Sequence, residues 1–321
     1  MRVVVTGANG FIGRAVGERL RADGHEVAGI DLSADGARGV VAGDLRHQGA
    51  WSDVLARADV VVHTAAIVSN APSMRRAWEV NVLGTRHLVD AARSAGVRRV
   101  VHLSSVRAFS DLGFPDGVDE TYPVQPDGNS YVDTRVASEQ VVLQAHAAGE
   151  LEATVVRPGD VYGPRSRPWT ILPVQMIRGR RFMLPAWGRG VFSPVYADDL
   201  VDGVVRAATR DAAAGQVFTL AGGVGVPTAE FFGHYYRMLG RRGPLVLPTW
   251  AASGLAGAAL VAATIARRET EMRPETVRYL CRRGTYSIAK ARDVLGYAPA
   301  VGLAEGMART EAWLRAEGLL D

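Results

Sequence analysis

A single cysteine, Cys281, is the only thiol in 321 residues, which excludes a disulfide framework and a cysteine-rich metal site. Lysine is equally scarce. Lys290 stands alone, and every other one of the 37 cationic side chains is arginine. The 36 glycines and 15 prolines fall in no period and no block, so fibrous repeats and low-complexity disorder are excluded too. Carboxylates are only slightly outnumbered, giving a net charge of +4 and a pI near 9.4. The surplus is scattered over pairs such as Arg75 and Arg76, Arg98 and Arg99, Arg241 and Arg242, Arg267 and Arg268, and Arg282 and Arg283. With no dense basic stripe, a nucleic-acid partner is not expected.

What is present is a chain that is 48% hydrophobic and 22% charged, enough for one large or two fused domains around a sizeable core. An apolar run begins at residue 2 and leaves no room for a leader, so a reducing cytoplasmic setting is expected. Arg2 to Thr6, His25 to Asp31, Val60 to His63, Arg99 to Ser104 and Ala153 to Arg157 read as buried strands. Helical spacing separates them, first at Ile12, Val16 and Leu20 and then near 72 to 95 and 131 to 147. Such alternation predicts an α/β fold, a doubly wound parallel sheet. Beyond residue 160, segments at 170 to 178, 197 to 210, 227 to 240, 249 to 266, 273 to 281 and 302 to 317 predict a smaller, mainly helical C-terminal lobe.

Thr6-Gly7-Ala8-Asn9-Gly10-Phe11-Ile12-Gly13 joins the first strand to the first helix. Gly7 permits the tight turn, Gly10 lets backbone approach a pyrophosphate, and Gly13 lets the helix pack close to the sheet. Asp31 ends the second strand 24 residues after Gly7, where a carboxylate accepts from both ribose hydroxyls and repels a 2′-phosphate. That favours NAD over NADP. Asp44 and Leu45 after a third hydrophobic stretch, and Ala65 and Ala66 after the strand ending at His63, leave space for a flat cofactor.

The glycine motif, Asp44-Leu45, His63-Thr64-Ala65-Ala66, Asn81-Val82-Leu83-Gly84-Thr85, Ser104-Ser105, Tyr131 and Arg157-Pro158-Gly159-Asp160-Val161-Tyr162-Gly163-Pro164 occur in the order seen in extended short-chain dehydrogenases/reductases. Val195-Tyr196-Ala197-Asp198-Asp199 and Ala291 to Tyr297 carry the resemblance to the C-terminal region. It implies a Rossmann-type NAD-binding domain over 1–162 plus 190–222 and a substrate lobe over 163–189 plus 223–321. It also implies a homodimer paired through helices near 72 to 95 and 131 to 147. Besides the residues above, it assigns cofactor contacts to Asn9, Phe11, Ile12, Asn81, Ser104, Tyr131, Arg135, Pro158 and Val161, and no metal.

Hydride exchange at a carbinol carbon needs a partner for the hydroxyl proton. A tyrosine needs positive charge nearby to serve as base near neutrality. Tyr131 and Arg135 lie four residues apart, on one helix face. Alone, such a pair is more often packed or solvated; the resemblance makes Ser105, Tyr131 and Arg135 the catalytic set, with Ser105 orienting the substrate oxygen. The family has Lys at position 135. Arginine keeps the charge and offers forked donors to the nicotinamide ribose, but it cannot give up a proton.

Relatives acting on nucleotide sugars commonly place Arg where this chain has Phe192 and Asn where it has Asp160. Both changes disfavour a dianionic diphosphate, although Arg165, Arg167 and Arg189 are near in sequence. Residues 244–266 carry no charge, and Leu247-Pro248-Thr249-Trp250 running into them resembles the 3β-hydroxysteroid dehydrogenase branch and reductases of long-chain 2-alkyl-3-oxo acids. The expectation is therefore a secondary alcohol or ketone on a hydrophobic body, buried against a wall of Trp250, Leu255, Leu260 and Ile265. Two alternatives stand beside it: a nucleotide-sugar epimerase or dehydratase, and an NAD-binding sensor or structural protein whose catalysis is impaired by Arg135. For residues 245–266 the first expectation is a buried or lid helix and the second a helix lying on a membrane surface.

Overall fold

A computed structural model describes residues 1–320. The chain runs β1 (Arg2–Thr6), α1 (Phe11–Ala22), β2 (Glu26–Asp31), β3 (Val40–Ala42), β4 (Val60–His63), α2 (Met74–Trp78), α3 (Gly84–Ser94), β5 (Arg99–Leu103), α4 (Ser130–Ala147), β6 (Glu152–Pro158) and β7 (Asp160–Tyr162). It continues through α5 (Leu172–Arg178), β8 (Val191–Phe192), β9 (Pro194–Tyr196), α6 (Ala197–Thr209), β10 (Val217–Leu220), β11 (Val226–Pro227), α7 (Thr228–Met238), α8 (Thr249–Ile265), α9 (Pro274–Leu280), α10 (Ala289–Leu295) and α11 (Leu303–Ala316).

Seven strands form one sheet in the order β10-β6-β5-β4-β1-β2-β3, with every neighbouring pair parallel. This is the predicted Rossmann-type doubly wound sheet. Valine triplets in β1 and β4 are buried on both faces, as parallel strands covered by helices on each side must be. Val3 and Val5 face one layer with Val16, Leu20, Leu200 and Val204, whereas Val4 faces the other with Leu88, Val89 and Val142. The chain leaves β1 toward β2 and returns to β4 on the opposite side, which opens a crevice at the strands' carboxyl ends.

The helix predicted near 72 to 95 is α2 and α3, continuous through a π turn at Glu79–Leu83. A third core, aromatic, gathers Tyr162, Phe182, Phe192, Phe231, Phe232 and Tyr279 in the C-terminal lobe. One boundary is corrected: α10 and Tyr297 pack with β10 and α6 on the sheet, since Ile288, Ala291, Leu295 and Tyr297 join the sheet's own core. Residues 223–321 are thus not all lobe.

A second correction concerns α8. The sequence placed Trp250, Leu255, Leu260 and Ile265 against bound substrate. Instead the helix rests on α9 through Ala252 and Ala256, which meet Val277, while Trp250, Leu255, Val261 and Ile265 face solvent and Leu260 is half-buried. Trp250 and Ile265 are each 79% exposed.

Candidate active site

A cleft of about 1320 Å³ runs along the crevice from Asp31 and Leu45 at one end to Trp169 and Tyr279 at the other. At its centre the loop after β1 turns on Gly7, whose φ of +67° suits glycine, and a Cβ there would fall 2.8 Å from the Ala65 nitrogen. A Cβ on Gly13 would fall 2.2 Å from the Gly7 carbonyl oxygen, so α1 can approach the loop only with glycine at that position. The first turn of α1 has neither a side-chain cap nor an acidic residue, leaving its amides free for an anion. Asn9, Gly10, Phe11 and Ile12 line the same stretch.

Asp31 accepts from the backbone nitrogens of Asn9 (2.8 Å) and Leu32 (2.7 Å), and lines the cleft. Arg38 offers it no counter-charge: its guanidinium donates to Asp35 (2.8 Å), to the Ala8 carbonyl (3.1 Å) and to Asn9 Oδ1. Arg38 therefore leaves the cleft-facing carboxylate of Asp31 without an ion-pair partner among these contacts. Asp44 is tied to Arg46 at 2.6 Å, and that hydrogen bond holds its carboxyl below the usual range. Leu45, Ala65 and Ala66 line the cleft as expected.

Asn81 is the exception among the expected cofactor residues. It is buried behind the cleft in the π turn, where it accepts from the Ile67 nitrogen (2.8 Å) and donates to the Ile67 carbonyl (3.2 Å) and to Thr134 Oγ1 (3.0 Å). Its side chain clamps the Ile67 wall segment to α4; it does not line the cleft.

β5 delivers Ser104 and Ser105 at its carboxyl end. Ser105 Oγ accepts from the Arg107 nitrogen at 3.2 Å, which leaves its own proton free to donate. Ser104 Oγ is buried without a hydrogen-bond partner among the described residues. Asn129 caps α4, accepting from the nitrogens of Tyr131 (2.8 Å) and Val132 (3.4 Å), and so fixes Tyr131 in the first turn. Pro158 and Val161 complete this part of the lining.

Arg135 is buried one helical turn on. Its Cζ lies 5.1 Å from the centroid of the Tyr131 ring, and its Nη1 donates to the Leu103 carbonyl at 3.0 Å. Among the described residues no carboxylate lies within ion-pair distance of it, and its Nε has no partner. Behind it, burial and the Arg135 charge push His63 down to about 3, and His102 goes the same way, so both imidazoles are neutral. A buried, uncompensated guanidinium is unfavourable to fold around, and its charge is left for Tyr131 and for ligand hydroxyls. Together, the uncapped amides, the glycine cradle, Asp31 and the unpartnered Arg135 and Ser104 atoms fit a dinucleotide.

Arg107 is a member of the site that the sequence did not reveal. Its Cζ sits 5.1 Å from the Tyr131 ring centroid and 4.7 Å from that of Tyr279. It pairs with buried Asp111 and donates to Asn70 Oδ1 at 3.0 Å. The available signal was an arginine two residues after a Ser-Ser pair at the carboxyl end of a strand, where ligands bind in open sheets. Asp160, also in the lining, accepts from the Ser193 nitrogen (2.8 Å) and faces Arg282 at 3.5 Å. Burial pushes its carboxyl up to about 6 against the pull of Arg282. Phe192 is locked among Trp169, Phe231 and Phe232, away from the cleft surface. The far wall is Trp169 stacked on Tyr279, with Leu172, Pro168, Ile67 and Val68. Glu271 and Thr276, also unforeseen, close the rim by bonding Ser69 and Asn70.

Residues 3–221 match the NAD dependent epimerase/dehydratase family. A UDP-glucose 4-epimerase of Mycolicibacterium smegmatis is 32% identical, covering 98% of this chain and 99% of its own. A 4-hydroxy-2-methyl-3-oxo-4-farnesyl-3,4-dihydroquinoline-1-oxide ketoreductase of Stigmatella aurantiaca is 30% identical, covering 96% and 95%. A 3-beta-hydroxysteroid dehydrogenase of Mycolicibacterium neoaurum is 28% identical, covering 96% and 89%. The solved structure of MoeE5 in complex with UDP-glucuronic acid and NAD superimposes with a TM-score of 0.80 at 26% identity, over 99% of this chain and 100% of the other. The chain belongs to the NAD dependent epimerase/dehydratase family of extended short-chain dehydrogenases/reductases, and is an NAD-using enzyme that acts on CH–OH groups.

Proposed function

We propose that the protein interconverts a secondary alcohol and a ketone on a hydrophobic substrate. One observation carries this reading: the two buried cations at the substrate end are already neutralised, Arg107 by Asp111 and Arg282 by Asp160. Position 192 adds no cation, because Phe192 is committed to the aromatic core. Trp169, Leu172, Tyr279, Ile67 and Val68 offer an apolar body a surface where burial is worth roughly 25 cal/mol per Å². The farnesylated substrate in the name of the Stigmatella relative is consistent with that class.

NAD would be held by the glycine loop, Asp31 and Arg135, and supplies the hydride acceptor or donor. In oxidation, Ser105 donates its free proton to the substrate oxygen and fixes its position. Tyr131, as the phenolate, takes the hydroxyl proton. Arg135 is the buried cation that stabilises the phenolate, since the charge of Arg107, from the turn after β5, is offset by Asp111. Because arginine does not release a proton, Tyr131 exchanges its proton through the cleft and not through position 135.

The specific observation favouring a nucleotide sugar is the exposed Arg75, Arg76 and Arg167 in the cleft lining, together with the UDP-sugar named for the smegmatis relative. A panel of sterols, 3-hydroxy acids and UDP- or TDP-sugars separates the two readings. Net NADH formation with an apolar carbinol supports the first; sugar-nucleotide turnover without net cofactor change replaces it with the second. The homodimer inferred by resemblance would use the outer faces of α3 and α4, and sedimentation equilibrium tests it.

A further inference from the structure

We propose that α8 is an in-plane docking element that seats the protein on a lipid bilayer with anionic headgroups. The helix contains no charged residue. Trp250, Gly254, Ala258, Val261 and Ile265 recur at spacings of three and four, so they form one outward face, and every one of them is exposed. Leu245, just ahead of the helix, is exposed as well. A helix on the surface of a soluble protein ordinarily turns charged residues outward; here the water-facing stripe is Trp, Val, Ile, Ala and Gly. The opposite stripe, Ala252 and Ala256, is fixed to α9, so α8 can bury its free face only by lying flat against something.

Charge selects the occupant. From Phe231 to Arg268 the chain has no carboxylate, while Arg237, Arg241, Arg242, Arg267 and Arg268 all fall in that stretch. Arg242, Arg267 and Arg268 are exposed and flank the apolar helix on both sides in sequence. An apolar face bordered by cations is complementary to acyl chains bordered by phosphates. A second copy is a poorer match, because pairing α8 with itself brings Arg242, Arg267 and Arg268 of both copies together, with Glu269, which already faces Arg76 at 3.9 Å, as the carboxylate adjoining that end. At 17 residues the helix is also too short for a membrane span, and among the described residues no helix is long and apolar enough to cross one.

Docking this way would place the substrate end of the cleft beside the bilayer. α8 packs on α9, which supplies Thr276 and Tyr279 to the lining, and the segment joining them supplies Glu271 to the rim. Delivery of a membrane-dissolved alcohol along this route rests on the hydrophobic-substrate reading; docking itself does not.

The test is flotation of the full chain with phosphatidylcholine vesicles and with vesicles containing phosphatidylglycerol. Trp250→Glu/Ile265→Glu and Arg267→Ser/Arg268→Ser are compared with the parent, with circular dichroism and NAD binding as controls for folding. The expected result is flotation with the anionic vesicles, reduced at least about tenfold by the double Glu change and made less salt-sensitive by the double Ser change. Absence of flotation overturns the proposal, as does equal flotation of the Glu variant. So does a dimer that the Glu variant dissociates, which would mean that a second copy covers α8. Each of these readouts is independent of which substrate is turned over.

Discussion

Replacing Arg135 with methionine isolates the charge on which the proton transfer depends. The guanidinium lies 5.1 Å from the centroid of the Tyr131 ring and has no carboxylate partner among the described residues, so its field is not cancelled locally. A unit charge about 5 Å from the ring centroid, in surroundings of effective dielectric near 20, is worth at most roughly 3 kcal/mol to a transition state in which negative charge develops on the ring oxygen. That corresponds to about a hundredfold in rate. Methionine should therefore lower kcat/KM by about that factor, whereas Arg135→Lys, which keeps the charge, should stay within about tenfold of the parent. Stability should not fall in step: methionine leaves the Leu103 carbonyl without its donor, but it also removes a buried, unpaired charge. The assay is NADH formation with the best alcohol of the panel, alongside a thermal melt of each variant. Undiminished kcat/KM in the methionine variant, or equal losses with methionine and lysine, would refute the electrostatic reasoning.

Asp31→Ala removes the carboxylate proposed to meet the adenosine ribose, so NAD should bind at least about tenfold more weakly and the preference over NADP should shrink; an unchanged ratio in fluorescence titrations would contradict this. Acid should destabilise the fold before most carboxylates titrate. His63 is held down to about 3 when folded against 6.5 unfolded, so its contribution is complete above pH 6.5 and declines as pH falls toward 3, by roughly tenfold in the folding equilibrium per pH unit. His102 acts in the same direction. Asp160, pushed up to about 6, opposes them, because its folded form takes up a proton first and stability from it is lost as pH rises through 6. The net expectation is a loss of about tenfold per unit between pH 6 and 4, measured by urea unfolding. A flat profile over that window would mean the imidazoles are not buried as neutral groups.

Strands and helices with strong periodicity were legible because the period itself carries the physics. β4 occupies the predicted Val60–His63, and α4 begins one residue before the predicted 131. β10, as short as β4, was not recognised as a strand, since Thr219 interrupts the apolar run that marks the valine triplet of β4. α10 escaped for a similar reason, being seven residues with mixed polarity. The residues lining the crevice at the glycine turn and at the end of β2 were legible because both features answer to local geometry. Asn81 belongs to the same family motif, yet its side chain points into a bridge between Ile67 and Thr134, and spacing says nothing about direction in a π turn. The substrate end was least legible. Arg107, Trp169, Glu271 and Tyr279 come from four separate segments, and only the tertiary fold brings them together. For α8, composition correctly marked an uncharged helix but could not say which neighbour covers it.

The central claim is that Tyr131 moves the proton while NAD moves the hydride. The most direct measurement compares Tyr131→Phe with the parent for NADH produced per ketone formed, with NAD affinity determined on the same samples. The account predicts one NADH per ketone in the parent, and turnover slowed by about a hundredfold to ten-thousandfold in the variant at unchanged NAD affinity. Undiminished turnover by the phenylalanine variant would contradict it.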